Sequence, residues 1–210
     1  MRITLIHALK HSIVPIEASF ARLWPEARLM NLLDDSLSAD LAHDGSLTDA
    51  MTERFGKLGR YAAGTGSDAI LFTCSAFGPC IEAVAREQAP MPVLKPNEAM
   101  IEQAAAKARK VGLLSTFAPT LASMPREFPP GIESVPKLAD GAMAALDRGA
   151  RDEHHRLVGE ASKDLVGCDL IALAQYSMAP AAAGVAAASG REVLTTPDSA
   201  VMKLKQLLSR

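Results

Sequence analysis

The chain has 210 residues, 49% of them hydrophobic and 22% charged, with 22 basic side chains against 24 acidic ones and a formal charge of -2. That length supports one sizeable α/β unit or two domains of about 100 residues each, and the composition excludes a disordered chain or a peptide scaffold. The near-even charge balance and the 4% aromatic content argue against nucleic acid or a membrane surface as the main partner, because neither a basic stripe nor a base-stacking platform is present.

Three cysteines make no disulfide framework and fit a reducing compartment. The opening residues Met1 to His7 lack the apolar centre of a signal peptide, and no run of about 18 apolar residues could span a bilayer. A soluble, cytoplasmic protein is expected, with small-molecule chemistry as the leading class.

Short apolar runs alternate with longer helical patterns, the rhythm of parallel sheets covered by helices. In chain order, Ile3 to His7 reads as a strand. Ser46 opens a helix predicted to reach about Ala63, with Ser46 or Thr48 as its N-cap. Ala69 to Thr73 is a second strand. Asn97 to Lys110 is predicted as a helix, with Glu98 in its first turn and Lys107, Arg109 and Lys110 in its last, which suits the dipole. Val111 to Ser115 is a third strand. Pro119, Pro125, Pro129 and Pro130 mark an irregular stretch, Ala139 to Leu165 a third helix, and Leu170 to Ala174 a fourth strand.

An internal repeat organises these elements. Asp68-Ala-Ile-Leu-Phe-Thr-Cys74-Ser-Ala-Phe-Gly-Pro79 overlays Asp169-Leu-Ile-Ala-Leu-Ala-Gln175-Tyr-Ser-Met-Ala-Pro180 without a gap, at an offset of 101 residues. An Ala-rich helical pattern follows each block. Val93 to Met100 then matches Val193 to Val201 with one inserted residue, and Ile3 to Ser12 aligns with Val111 to Thr120. The repeat predicts two pseudo-symmetric, Rossmann-like (flavodoxin-like) parallel-sheet halves. Residues 1–97 plus 193–210 make the first half and 98–192 the second, with the active site in the cleft between them.

Cys74 follows a buried-looking strand and precedes a turn into a helix, where free backbone N–H groups and the helix dipole favour a thiolate. Cys80 and Cys168 read as small buried hydrophobes. Ser115, Thr116 and Thr120 offer hydroxyls in a strand-to-helix loop suited to a carboxylate or phosphate, although ordinary capping explains such residues equally well. His7, at a strand end, is predicted to face the pocket, whereas His154 and His155 read as solvated surface. No Cys or His cluster has zinc spacing, and neither a Walker loop nor a Gly-x-Ser-x-Gly elbow is present.

Thr73-Cys74-Ser75-Ala76, Ser115-Thr116 with Thr120, and Gln175-Tyr-Ser-Met178 together resemble the aspartate/glutamate/hydantoin racemase superfamily, with its maleate isomerase and arylmalonate decarboxylase branches. The resemblance spans nearly the whole chain. It implies a cofactor-independent racemase or isomerase without metal, acting beside the carboxylate of a small amino or carboxylic acid, and a homodimer. It implies Cys74 as the catalytic acid/base or nucleophile. It further implies Ser75, Ala76, Ser115, Thr116 and Thr120 as carboxylate-binding residues, with His7, Gln175 and Ser177 beside them. The superfamily's racemases use one cysteine per half, and this chain carries Gln175 where the second would stand. A single-cysteine decarboxylase-like enzyme and a non-catalytic small-acid binder that lost the second cysteine are the alternatives. A redox-regulated protein using Cys74 is a weaker third.

Overall fold

The computed structural model describes residues 1–209. It divides into two units, Met1–Pro96 with Ala200–Arg210, and Asn97–Ser199. In the first unit, β1 (Arg2–His7), α1 (Ile13–Leu23), β2 (Arg28–Leu33), α2 (Ser36–Asp44), α3 (Asp49–Gly64), β3 (Ala69–Phe72), α4 (Gly78–Glu87) and β4 (Val93–Leu94) follow one another. Its strands form a parallel sheet in the order β2-β1-β3-β4. In the second unit come α5 (Glu98–Lys107), β5 (Lys110–Ser115), α6 (Ala118–Ser123), β6 (Glu133–Leu138), α7 (Ala142–Asp147), α8 (Arg151–Ser162), β7 (Leu170–Leu173), α9 (Ala182–Ser189) and β8 (Glu192–Thr195). Their sheet repeats the topology as β6-β5-β7-β8, again all parallel. The last helix, α10 (Thr196–Leu208), begins in the second unit, and its residues from Ala200 on belong to the first.

Both units are therefore flavodoxin-like α/β sheets whose strand order reverses between the first strand and the third, the position where such sheets bind ligands at their carboxyl edge. The aspartate shared by the two repeat blocks has the same task in each. Asp68 Oδ2 accepts the Arg2 N–H at 2.7 Å, and Asp68 N–H donates to the Arg2 carbonyl at 2.8 Å. Asp169 Oδ2 accepts the Arg109 and Lys110 N–H groups at 2.8 Å, and its own N–H donates to the Lys110 carbonyl at 2.8 Å. Each thus satisfies backbone donors where the first strand of its sheet begins.

Alternating side chains along the central strands supply both faces of the second sheet. Val111, Leu113, Leu170 and Ala172 pack with Met100 and Met124 on one side, and Leu114, Ile171 and Leu173 pack with Val158 and Val185 on the other. The first unit gathers Ile6, Leu37, Phe55, Phe72, Phe77 and Ile81 in one cluster. Thr48 caps α3, its hydroxyl accepting the Met51 N–H at 3.2 Å. Where α3 meets α4, a Cβ on Gly59 would stand 2.4 Å from Val84 Cγ1. Gly59→Ala is expected to destabilise by about 1–3 kcal/mol through overpacking, more than the ~1 kcal/mol that alanine gains in a helix. Gly64→Ala, which meets nothing within 4 Å, should lose no stability, and urea unfolding of the two variants checks the contrast.

The structure corrects several sequence expectations. Residues 193–199 belong to the second unit, because β8 pairs with β7. The helix expected over 97–110 ends at Lys107, and Lys110 already begins β5. The stretch 139–165 is two helices, α7 and α8, separated at Gly149, whose φ of 81° is left-handed. The proline-marked region contains α6 and leads into β6, an edge strand in which Pro136 is tolerated. His154 is fully buried on α8, edge-on to His155 with ring centroids 5.4 Å apart. Cys80 and Cys168 are buried, as expected. Among the described residues no helix is long and apolar enough to cross a membrane.

Candidate active site

The carboxyl edge of the first sheet is built by the ends of β1 and β3. Thr73 N–H donates to the Ile6 carbonyl at 3.0 Å, which holds the residue after β3 beside the end of β1. Cys74 comes next, in extended backbone, and opens a 3₁₀ turn over Ser75–Phe77 that runs into α4. It is half-buried. With Ile6, His7, Ala8, Leu37, Phe55 and Phe72 it lines a crevice too narrow for a water molecule. The Ala76 N–H and the Ser38 hydroxyl reach the thiol. Ser38 also lies 2.6 Å from the Ala8 carbonyl oxygen, so its single proton serves either the carbonyl or a thiolate.

Burial pushes the Cys74 thiol up, outweighing the Ala76 N–H and Ser38 hydroxyl that pull it down. This corrects the expectation of a thiolate held by a helix N-terminus. The aromatic and aliphatic walls disfavour charge more strongly than the two donors favour it, so the resting group is a thiol.

His7 does not present its ring to an open pocket. It is fully buried, and both ring nitrogens are engaged. Asn31 donates through Nδ2 to Glu17 Oε1 at 2.8 Å, which turns its Oδ1 toward His7 Nε2 at 2.9 Å, so Nε2 carries the proton. Nδ1 then accepts from the Thr73 hydroxyl at 2.8 Å, while the Ser12 hydroxyl, also 2.8 Å from Nδ1, gives its proton to the Leu9 carbonyl at 2.8 Å. Burial lowers the His7 pKa against the opposing pull of Asn31 and the Glu17 charge. Because the folded state resists the proton that the unfolded chain accepts near pH 6.5, His7 costs stability as pH falls below about 6.5 and costs none above it. The expected slope is at most ~1.4 kcal/mol per pH unit, and His7→Gln should remove it from a series of urea titrations between pH 7 and 5.5.

In the second unit, Ala174 N–H donates to the Leu114 carbonyl at 2.9 Å, the same contact that Thr73 makes in the first. Gln175 follows and opens the 3₁₀ turn Tyr176–Ala181. Its Oε1 accepts three hydrogen bonds: from Ser115 Oγ at 2.8 Å, Thr116 N–H at 2.6 Å and Thr116 Oγ1 at 2.9 Å. The Tyr176 hydroxyl is buried with no hydrogen-bond partner among the described residues. Burial and the charge of Glu98 hold its pKa well above the ordinary phenol value, which excludes it as a base near neutral pH. Thr120 and Ser177 are buried on α6 and in the turn after Gln175.

Of the residues predicted from sequence, the first edge brings together His7, Cys74, Ser75 and Ala76, and the second brings together Ser115, Thr116 and Gln175. Sequence reasoning missed Ser12, Asn31, Ser38 and Thr73 as partners of these groups. The repeat held a signal for Ser12, which aligns with Thr120. Asn31 and Ser38 lie on β2 and α2, elements without a distinctive pattern.

No curated protein matches the chain by sequence. Its fold is similar to that of a glutamate racemase from Bacillus anthracis, at a TM-score of 0.76 and 11% identity over 99% of this chain and 81% of that one. It is similar to an allantoin racemase from Klebsiella pneumoniae, at 0.75 and 16% over 100% and 88%. A maleate isomerase from Pseudomonas putida S16 aligns at 0.68 and 13% over 100% and 93%. These likenesses concern the fold. The family model for Asp/Glu/hydantoin racemases matches residues 25–204, and on that match the chain belongs to the Asp/Glu/hydantoin racemase family.

Proposed function

We propose that this racemase-family protein is a cofactor-independent enzyme that moves a proton at the carbon next to the carboxylate of a small amino or carboxylic acid, with Cys74 as its acid/base. The observation that carries the reading is a thiol, Cys74, placed just past the carboxyl end of β3 where it opens the 3₁₀ turn into α4, in a chain of the racemase family. In the forward step a Cys74 thiolate takes the α-proton, and the C–H electron pair passes into an enolate. Return of the proton from the thiol to carbon restores the thiolate. One group suffices for removal and return on one face.

The raised thiol pKa also supports a second reading, single-cysteine decarboxylation. There the C–C bond to a carboxylate breaks, carbon dioxide leaves with the electron pair held as an enolate, and the thiol delivers its proton to carbon. Glutamate and allantoin, which the neighbours' names supply, together with other amino acids and 2-substituted dicarboxylic acids, make the test panel in D₂O. Maleate is followed alongside them for conversion of its double bond. Loss of an α-proton signal supports the first reading, and release of carbon dioxide the second. If neither occurs while panel compounds bind, the chain is a small-acid binder.

A further inference from the structure

Gln175 stands in the second unit where Cys74 stands in the first. Each is the second residue after its strand, and each opens a 3₁₀ turn from extended backbone, at φ -120° and ψ 120° for Cys74 and φ -139° and ψ 144° for Gln175. The two side chains differ in how they are held. Three donors converge on Gln175 Oε1. A backbone N–H can only donate, so the atom 2.6 Å from Thr116 N is the amide oxygen, and the N–H₂ points the other way. Turning the amide over would set its N–H against the Thr116 N–H. Ser115 is itself steadied, its Oγ accepting the Phe117 N–H at 3.1 Å. The half-buried Gln175 is thus a donor of fixed orientation at the carboxyl edge of its sheet.

We infer that Gln175 binds a carboxylate oxygen of a small acid through the N–H₂ turned away from Thr116, and that Ser115 and Thr116 hold Gln175 rather than the acid. The inference rests on the carboxylate chemistry proposed above and assigns its oxygen-binding donor. Two N–H bonds of fixed orientation stabilise negative charge on a carboxylate oxygen without reorganisation. The Ser115-Thr116 loop, expected to be a carboxylate cradle, becomes the mount of that donor.

Malonate serves as the probe, titrated into the full chain by calorimetry with folding checked by circular dichroism. Gln175→Glu keeps an oxygen for the three donors but places a second carboxylate oxygen where the N–H₂ stood. Gln175→Met keeps the length of the side chain and has no donor. Loss of a hydrogen bond to a charged group predicts malonate affinity at least about tenfold weaker in each folded variant, with Glu the weaker of the two. Malonate binding within about twofold of wild type in either folded variant overturns the inference, as does absence of malonate binding to the wild-type chain. Weakened malonate binding with no deuterium exchange across the panel removes the proton-transfer reading and keeps the donor. Exchange together with unweakened malonate binding does the reverse.

Discussion

Cys74→Ala is expected to reduce α-proton exchange by about 10²–10⁴-fold, the contribution usual for a positioned acid/base, while the protein stays folded. Among the described residues the thiol is the one titrating side chain set at the carboxyl end of β3, with the Ala76 N–H and Ser38 hydroxyl as its partners. His7 beside it is closed off by three partners. Since Cys74 is half-buried, its truncation should shift the unfolding free energy by no more than about 1 kcal/mol, which separates loss of chemistry from loss of fold. The wild-type pH profile carries the same signature. Burial raises the thiol pKa, so the thiolate fraction is small at neutral pH and grows as pH rises. Exchange should therefore climb about tenfold per pH unit through the neutral range without a plateau there. Equal exchange rates in wild type and Cys74→Ala would remove the thiol from the reaction.

The second large effect is expected at the wall that raises the thiol pKa. Phe55 is 2% exposed, and its ring lies 5.2 Å from that of Phe72 and 4.9 Å from that of Phe77. It lines the same crevice as Cys74. Phe55→Ala should cost about 3–5 kcal/mol, since the transfer energy of the ring is lost and a cavity is left. Because desolvation is the largest cause of the thiol's upward shift, opening that cavity beside His7 and Cys74 should lower the Cys74 pKa. Phe55→Leu keeps an apolar wall and should move both quantities less. Thiolate absorbance titrations alongside urea unfolding read the two effects separately. A Phe55→Ala variant as stable as wild type, or with an unchanged thiol titration, would contradict this account of the crevice.

Much of the fold was legible because its central strands are buried on both faces. Runs such as Ala69-Ile-Leu-Phe72 and Leu170-Ile-Ala-Leu173 are continuous apolar segments, and the repeat locates them within equivalent blocks. The edge strands β2 and β6 were not legible, since each is only half covered and carries polar residues or a proline that break any periodic pattern. Cys74 and Gln175 could be found because strand ends and the repeat mark them. Their chemistry could not. The thiol pKa depends on walls supplied by α2 and α3, and the orientation of the Gln175 amide depends on Thr116, distant in sequence. His154 was misread because an adjacent histidine pair in a charged helix looks solvated, whereas only one of the two faces outward enough to remain partly exposed.

The central claim is that one thiol, Cys74, both removes and returns the proton. It is tested most directly by incubating a single enantiomer of an exchanging panel compound in D₂O and following deuterium content and configuration together. Deuterium entering faster than configuration is lost is the expected result. Deuterium entry accompanied at every turnover by inversion would require a second proton-transfer group on the opposite face and would contradict the claim.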